Sequence, residues 1–123
     1  MKSPVQNKMN TVFIHVTDLK KSALWYGRLL GQEVDEDRVS HPVYNLEIDG
    51  PVGLTLDAGP KPGKAASPAP YPLFNFHTND IKKSFDYVQS LNIECDSGIV
   101  EFDDFSFFTV KDPDGNIIMV CTG

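Results

Sequence analysis

Cysteine and positive charge are both scarce in this chain, and long apolar runs are missing altogether; each shortage narrows what the protein can be. The two cysteines in 123 residues, Cys95 and Cys121, share no CxxC spacing. Neither a disulfide framework nor a zinc knuckle is expected from them, and a reduced pair of half-buried thiols is. Lysine and arginine number 11 against 17 aspartates and glutamates, which leaves a net charge of -6. Nucleic acid and anionic membranes both require a basic surface and are set aside as partners. An excess of acid this mild serves solubility, with an acidic cleft for cationic ligands as the alternative. No run approaches the roughly 18 apolar residues of a membrane span, and the opening MKSPVQNKMN lacks the apolar stretch of a signal peptide. A cytoplasmic location is expected. There is no GxSxG elbow, GKS/T loop or HExxH helix, so the nucleophile, phosphate and zinc chemistries of those motifs have no footing.

What remains is ordinary globular material, 41% hydrophobic and 23% charged, at a length that predicts one domain with one modest core. The chain also says nearly the same thing twice. FIHVTDLKKS runs from Phe13 to Ser22, and NFHTNDIKKS runs from Asn75 to Ser84. In the first copy TVFIHV is rich in β-branched and aromatic residues and predicts a strand. TDLKKSALWYGRLLG then predicts a helix capped by Thr17 or Asp18, with Leu19, Ala23, Tyr26 and Leu30 on its buried stripe and Gly31 as its stop. In the second copy PLFNFHT predicts a strand. NDIKKSFDYVQSLN predicts a helix capped by Asn79 or Asp80, with Ile81, Phe85, Val88 and Leu91 inward.

Both helices are followed by about three short apolar runs between turn signals, within QEVDEDRVSHPVYNLEIDGPVGLTLDAG and IECDSGIVEFDDFSFFTVKDPDGNIIMVCTG. IDGP and DPDGN are the last turns of their copies. Strand, cap, helix face and trailing hairpin recur in order, which predicts a duplicated βαβββ module in a single α+β domain. Module one covers about 10–57 and module two about 73–121. The connector between them, residues 58–72, is marked by the proline, glycine and alanine of AGPKPGKAASPAPYP.

A tandem βαβββ chain of this size resembles the vicinal oxygen chelate superfamily, which includes glyoxalase I, extradiol dioxygenases, fosfomycin resistance enzymes and bleomycin resistance proteins. The resemblance runs from about Thr11 to Val120 and is carried by VTDLKKSALWYGRLLG, TNDIKKSFDYV and FFTVKDPDGNIIMV. It implies a cup-shaped mixed sheet, built by the two modules around a small-molecule site, and homodimers of such chains. The fold does not by itself choose the function.

Along a strand of such a cup, alternation puts Thr11, Phe13 and His15 on one face and Val12, Ile14 and Val16 on the other. The uniformly apolar set is expected to meet the helix. That leaves Thr11, Phe13 and His15 lining the cup, with Leu73, Asn75 and His77 as their counterparts. Metal-binding members of the resembled family place a histidine seven residues before the capping aspartate, and a glutamate or similar residue in each module's last strand. Here those slots hold Thr11, Leu73, Thr55 and Met119. Two are neutral hydroxyls, one has no donor atom, and one is a soft thioether unsuited to hard divalent cations. No metal site or cofactor is expected, and the family's Lewis-acid chemistry is not carried over.

His15 and His77 fall at matching repeat positions and are the candidate catalytic residues. They serve either as a relocated divalent metal site, with Glu47 as third ligand, or as metal-free acids and bases. The bland alternative is that each imidazole lines the pocket or bonds the turn. His41 in SHPVY reads as a loop residue, Cys95 and Cys121 as packing, and the aspartates of DDF and DPDGN as turn formers. Aromatics crowd module two at Phe102, Phe105, Phe107 and Phe108, with Tyr44, Tyr71 and Phe74 on the pocket side. Alternation sends Phe107 and Phe108 to opposite faces, so one of them meets the cup, with Phe107 as the candidate. The expected pocket is Thr11, Phe13, His15, Thr55, Leu73, Asn75, His77, Phe107 and Met119, suited to a planar or partly apolar small molecule. The reading is a metal-independent, glyoxalase/bleomycin resistance-like protein that binds a small organic molecule. A lyase or dioxygenase-type enzyme, with unusual metal ligands or metal-free acid–base chemistry, is the alternative.

Overall fold

The computed structural model describes residues 1–61 and 67–123; residues 62–66 of the expected connector lie outside them. β-Branched and aromatic residues make Thr11–His15 the first strand, β1. Asp18 caps α1, Leu19–Leu30, its carboxylate accepting from the Lys21 N–H at 3.1 Å. Gly31 closes that helix in the left-handed region, φ 69°, where a side chain would be strained. Asp80 caps α2, Ile81–Ser90, in the same way, accepting from the Lys83 N–H at 3.0 Å. In both copies the aspartate wins the cap over its neighbour because a carboxylate also complements the positive end of the helix dipole.

After α1 come β2, Val43–Leu46, and β3, Gly53–Asp57. β4, Asn75–His77, opens the second copy; after α2 come β5, Val100–Glu101, β6, Ser106–Lys111, and β7, Ile117–Cys121. The first trailing run of module one does not form a strand. Asp35 accepts from the Asp37 N–H at 3.0 Å and a 3-10 turn forms over Glu36–Arg38. Glu33, Asp35, Glu36 and Asp37 are poor strand formers, and the turn gives their charges to solvent.

The strands make two mixed sheets, of order β1-β3-β2 and β4-β7-β6-β5. In each, the opening strand lies parallel to the closing one, a pairing that needs a crossover connection and finds it in the helix. Antiparallel neighbours complete each sheet. The duplication holds at the level of register: Phe13 lies opposite Thr55, and its repeat counterpart Asn75 lies opposite Met119.

Each sheet turns one face to its helix. Ile14, Leu46, Leu54 and Leu56 join Leu19, Ala23, Tyr26 and Leu29 of α1 in a buried cluster that also holds Val88, Phe108, Val110, Ile118 and Val120 of module two. Phe85 of α2 meets Phe108 edge to face, ring centroids 5.3 Å apart. Burying each large side chain contributes about 1.5–3 kcal/mol, and one core serves both modules. Tyr44 pairs with Leu56 in register and so faces this core, not the pocket side on which its position in the sequence had placed it. Among the described residues no helix is long and apolar enough to cross a membrane.

The turn DPDGN fastens the modules together. Asp112 Oδ1 accepts from the N–H groups of Asp114 and Asn116 at 2.9 and 2.8 Å, so it is the turn former expected of it. It is also buried, and its Oδ2 accepts from the Tyr26 hydroxyl of α1 at 2.7 Å and from Asn116 Nδ2 at 2.8 Å. Asn116 Nδ2 donates again to the His15 carbonyl at 3.1 Å, while Asn116 Oδ1 accepts from the Ala69 N–H at 3.2 Å. Asp114 accepts from the Thr17 N–H at 3.0 Å. Burial, followed by the charge of Asp112 and the bond to it, holds the Tyr26 phenol well above its ordinary value. Tyr26 therefore stays protonated and donating.

Candidate functional site

The face of each sheet turned away from its helix carries the polar side chains. On the first sheet Thr11, Phe13 and His15 share that face, with Phe13 51% exposed and the His15 side chain 65% exposed. Register adds Thr55 and Asp57 from β3 and Asn45 from β2. Thr55 Oγ1 donates to Asn45 Oδ1 at 2.6 Å, which leaves Thr11 to donate to Thr55 across 2.9 Å. On the second sheet the corresponding face holds Asn75, His77, Met119 and Phe107. Phe108 is fully buried on the helix side, so of the two adjacent phenylalanines it is Phe107 that faces outward. Phe107 lies in near-parallel stacks with Phe102 and Phe105, at centroid distances of 6.1 and 6.3 Å.

A cleft of about 210 Å³ opens where β1 approaches the start of β7. Phe13, Leu73, Phe74, Ile117 and Ile118 make its apolar walls, and His15 and Asn116 its polar edge. Its volume is below the roughly 300–1,000 Å³ of drug-sized sites, so it has room for a fragment-sized molecule only. Of the nine residues expected to form one pocket, Phe13, His15 and Leu73 line this cleft. Thr11 and Thr55 neighbour each other on the first sheet's open face, while Asn75, Met119 and Phe107 lie on the second sheet's. His77 bonds Asn79 Oδ1 through Nε2 at 2.8 Å and borders a separate hollow of about 200 Å³ beside Leu29, Leu30 and Tyr87. The expected single pocket is thus divided, because the two sheets are joined by α1 and the DPDGN turn and, among the described residues, share no strand pairing.

His15 has a partner that the sequence reading missed. Asp57 lies opposite it in the β1–β3 register, with Oδ2 4.0 Å from His15 Nδ1. The other oxygen, Oδ1, accepts from the Gly59 N–H at 2.8 Å, which fixes the carboxylate plane. The signal was present in GLTLD: Thr55 had been assigned to the open face, and Asp57, two residues on, shares it. Glu47, considered as a partner for the histidines, is exposed beyond the end of β2, and its carbonyl accepts from the Gln32 side chain. His41, a loop residue, borders a wider and more open hollow of about 600 Å³ with Asp18 and Lys20. Cys95 and Cys121 are both free. Burial pushes the Cys95 thiol up, away from the thiolate a nucleophile needs, and Cys121 is buried in β7, its sulfur accepting from the Gly123 N–H at 3.4 Å.

The donor set does not fit a divalent cation. Thr11 and Thr55 are engaged with each other, Leu73 has no donor, and Met119 offers only a thioether. Among the described residues no three His, Cys, Asp or Glu side chains converge as metal ligands would.

The profile of a family described as Glyoxalase/Bleomycin resistance protein/Dioxygenase superfamily matches residues 8–120. A solved structure titled Oxidase ChaP-H2 is similar at 22% identity and TM-score 0.71, covering 98% of this chain and 95% of that one. Lactoylglutathione lyase from Agrobacterium tumefaciens is similar at 18% identity and TM-score 0.71, covering 97% and 96%. A glyoxalase/dioxygenase from Nostoc punctiforme is similar at 22% identity and TM-score 0.66, covering 99% and 97%. At these identities the likeness is one of fold. No curated protein matches the chain at a significant level.

Proposed function

Because the chain belongs to the Glyoxalase/Bleomycin resistance protein/Dioxygenase superfamily, we propose that it binds a small, planar or partly apolar organic molecule in the cleft at the seam of its two sheets. The observation that carries this reading is the cleft itself: a half-exposed phenylalanine and an exposed leucine, Phe13 and Leu73, stand over apolar walls with His15 at the edge. Apolar surface of this kind beside a few polar groups is the usual composition of a ligand site. Relatives of the same fold bear oxidase and lyase titles, so the fold leaves binder and catalyst equally open. The filling of the four family metal slots by Thr11, Thr55, Leu73 and Met119 supports binding without a divalent metal.

We also propose that the protein is a homodimer. Val43 and Phe102 leave large apolar side chains exposed outside the cleft, which favours their cover by a second chain. Light scattering should report twice the 13.7 kDa chain mass; a 13.7 kDa species at tens of micromolar would count against the dimer. The free cysteines agree with a reducing, cytoplasmic setting.

The binding reading is tested by a thermal-shift screen of planar fragments. A ligand that binds only the folded state raises the melting temperature by mass action. Phe13→Ala removes an aromatic wall at a position tolerant of change, and should weaken a genuine hit by about 1–2 kcal/mol. Hits indifferent to Phe13→Ala would place binding elsewhere and sink the proposal.

A further inference from the structure

We propose that His15 and Asp57 form a general-base dyad at the edge of the seam cleft, and that the cleft takes small planar molecules bearing an acidic C–H or O–H. The proposal rests on the binding reading of the same cleft and goes beyond it by assigning a reaction class, proton abstraction. The geometry is that of a base held by a third group. β1 and β3 place the two side chains directly opposite each other on the open face. Asp57 is held through Oδ1 by the Gly59 N–H at 2.8 Å, which leaves Oδ2 free toward His15 Nδ1 at 4.0 Å. At 4.0 Å the pair is longer than a hydrogen bond, and catalytic hydrogen bonds are often long without substrate and tighten when it is present. A carboxylate at Nδ1 selects the tautomer with its proton there, so that Nε2 is the free lone pair. The backbone of His15 is anchored as well, its carbonyl accepting from Asn116 at 3.1 Å. His15 is among the residues that line the cleft with Phe13 and Leu73, where apolar walls favour an uncharged planar substrate over water. His77 has no such arrangement: its ring bonds Asn79 at 2.8 Å, an amide that cannot stabilise an imidazolium as a carboxylate does.

The probe for this chemistry is 5-nitrobenzisoxazole, a flat bicycle whose reaction needs only a base. His15 Nε2 takes the proton from the ring carbon, the electron pair of that C–H bond forms the nitrile, the N–O bond breaks, and the oxygen leaves with its electrons as a coloured nitrophenolate. The imidazolium then releases its proton to water, so nothing is oxidised or reduced overall and no co-reactant is consumed. The isomer 5-nitrobenzoxazole lacks the N–O bond and reports binding alone, by saturation-transfer NMR.

The protein should eliminate the probe saturably. His15→Ala, at an exposed position, should lower the protein-dependent rate by about 10²-fold or more. Asp57→Asn should lower kcat while KM stays near its original value. In nitrogen NMR of the ring, it should also move the His15 proton away from Nδ1, a change that a merely structural role would not produce. If the benzoxazole binds and Phe13→Ala weakens it, while wild type and His15→Ala eliminate at the same rate, the dyad is overturned and the binding reading stands. If neither compound binds, both fall. Loss of rate in His77→Ala with His15→Ala unaffected also overturns the assignment.

Discussion

Tyr26→Phe removes one oxygen and almost nothing else, which makes it the sharpest test of how the modules are held together. The lost hydrogen bond is 2.7 Å long, buried, and made to a carboxylate. Such charge-assisted bonds contribute about 1.5–3 kcal/mol. Asp112 Oδ2 keeps its second donor, Asn116 Nδ2, at 2.8 Å, so the carboxylate is not orphaned and the lower part of that range applies, about 1.5–2 kcal/mol. The ring stays, so no cavity opens. In urea unfolding the midpoint should fall with the slope unchanged, and the melting temperature should drop by roughly 5–10 °C. The pH dependence carries its own sign. Burial first, and Asp112 second, raise the folded-state phenol above its ordinary value of 10.0. Its contribution is therefore complete below pH 10 and declines as pH rises above 10, where the unfolded chain releases the proton and the folded one does not. The gap between wild type and Tyr26→Phe should be flat from neutral pH to about 10 and shrink beyond it. A gap below about 0.5 kcal/mol at neutral pH, or one that widens in alkali, would refute the reasoning.

Ser22 Oγ is buried and has no hydrogen-bond partner among the described residues, so Ser22→Ala should raise stability by about 0.5–1 kcal/mol in the same urea assay, through helix propensity and removal of a stranded hydroxyl. Gly27→Ala should do the reverse, despite alanine's preference for helices. Its Cβ would sit 2.6 Å from Val34 Cγ2 and 3.0 Å from the Gln32 carbonyl, and the overpacking should cost about 1–3 kcal/mol. Elemental analysis of protein purified without chelator should find no stoichiometric divalent metal; near one per chain, lost when His15 and His77 are replaced, would reverse the reading of the metal slots.

Local rules made much of this fold legible. The repeat located both helices, the two-residue windows that hold their caps and the strands that open each module, because capping and strand propensity depend on neighbours in the chain. Alternation put Phe13 and His15 on an open face for the same reason. Long-range register was not legible: Asp57 became the partner of His15 only when β1 and β3 paired. Tyr26 and Asp112 are 86 residues apart, and nothing in either segment names the other. Nor could alternation show that Asn75 and His77 would be separated from Phe13, since that follows from how the modules join rather than from either strand. The first module's missing strand is a conflict of signals, in which apolar Val34 lay among four carboxylates and the charges won.

The turn from Asp112 to Asn116 makes the first copy of the repeat depend on the second. During synthesis α1 leaves the ribosome with Tyr26 facing a partner that does not yet exist, because 86 positions separate it from Asp112. At about 5–20 residues per second that interval is about 4–17 s. For its duration the apolar stripe of α1 has only its own sheet to cover it, and the His15 carbonyl waits for Asn116. The nascent first half therefore completes its packing only when the second arrives, and a slowed ribosome downstream of the connector lengthens that wait in direct proportion.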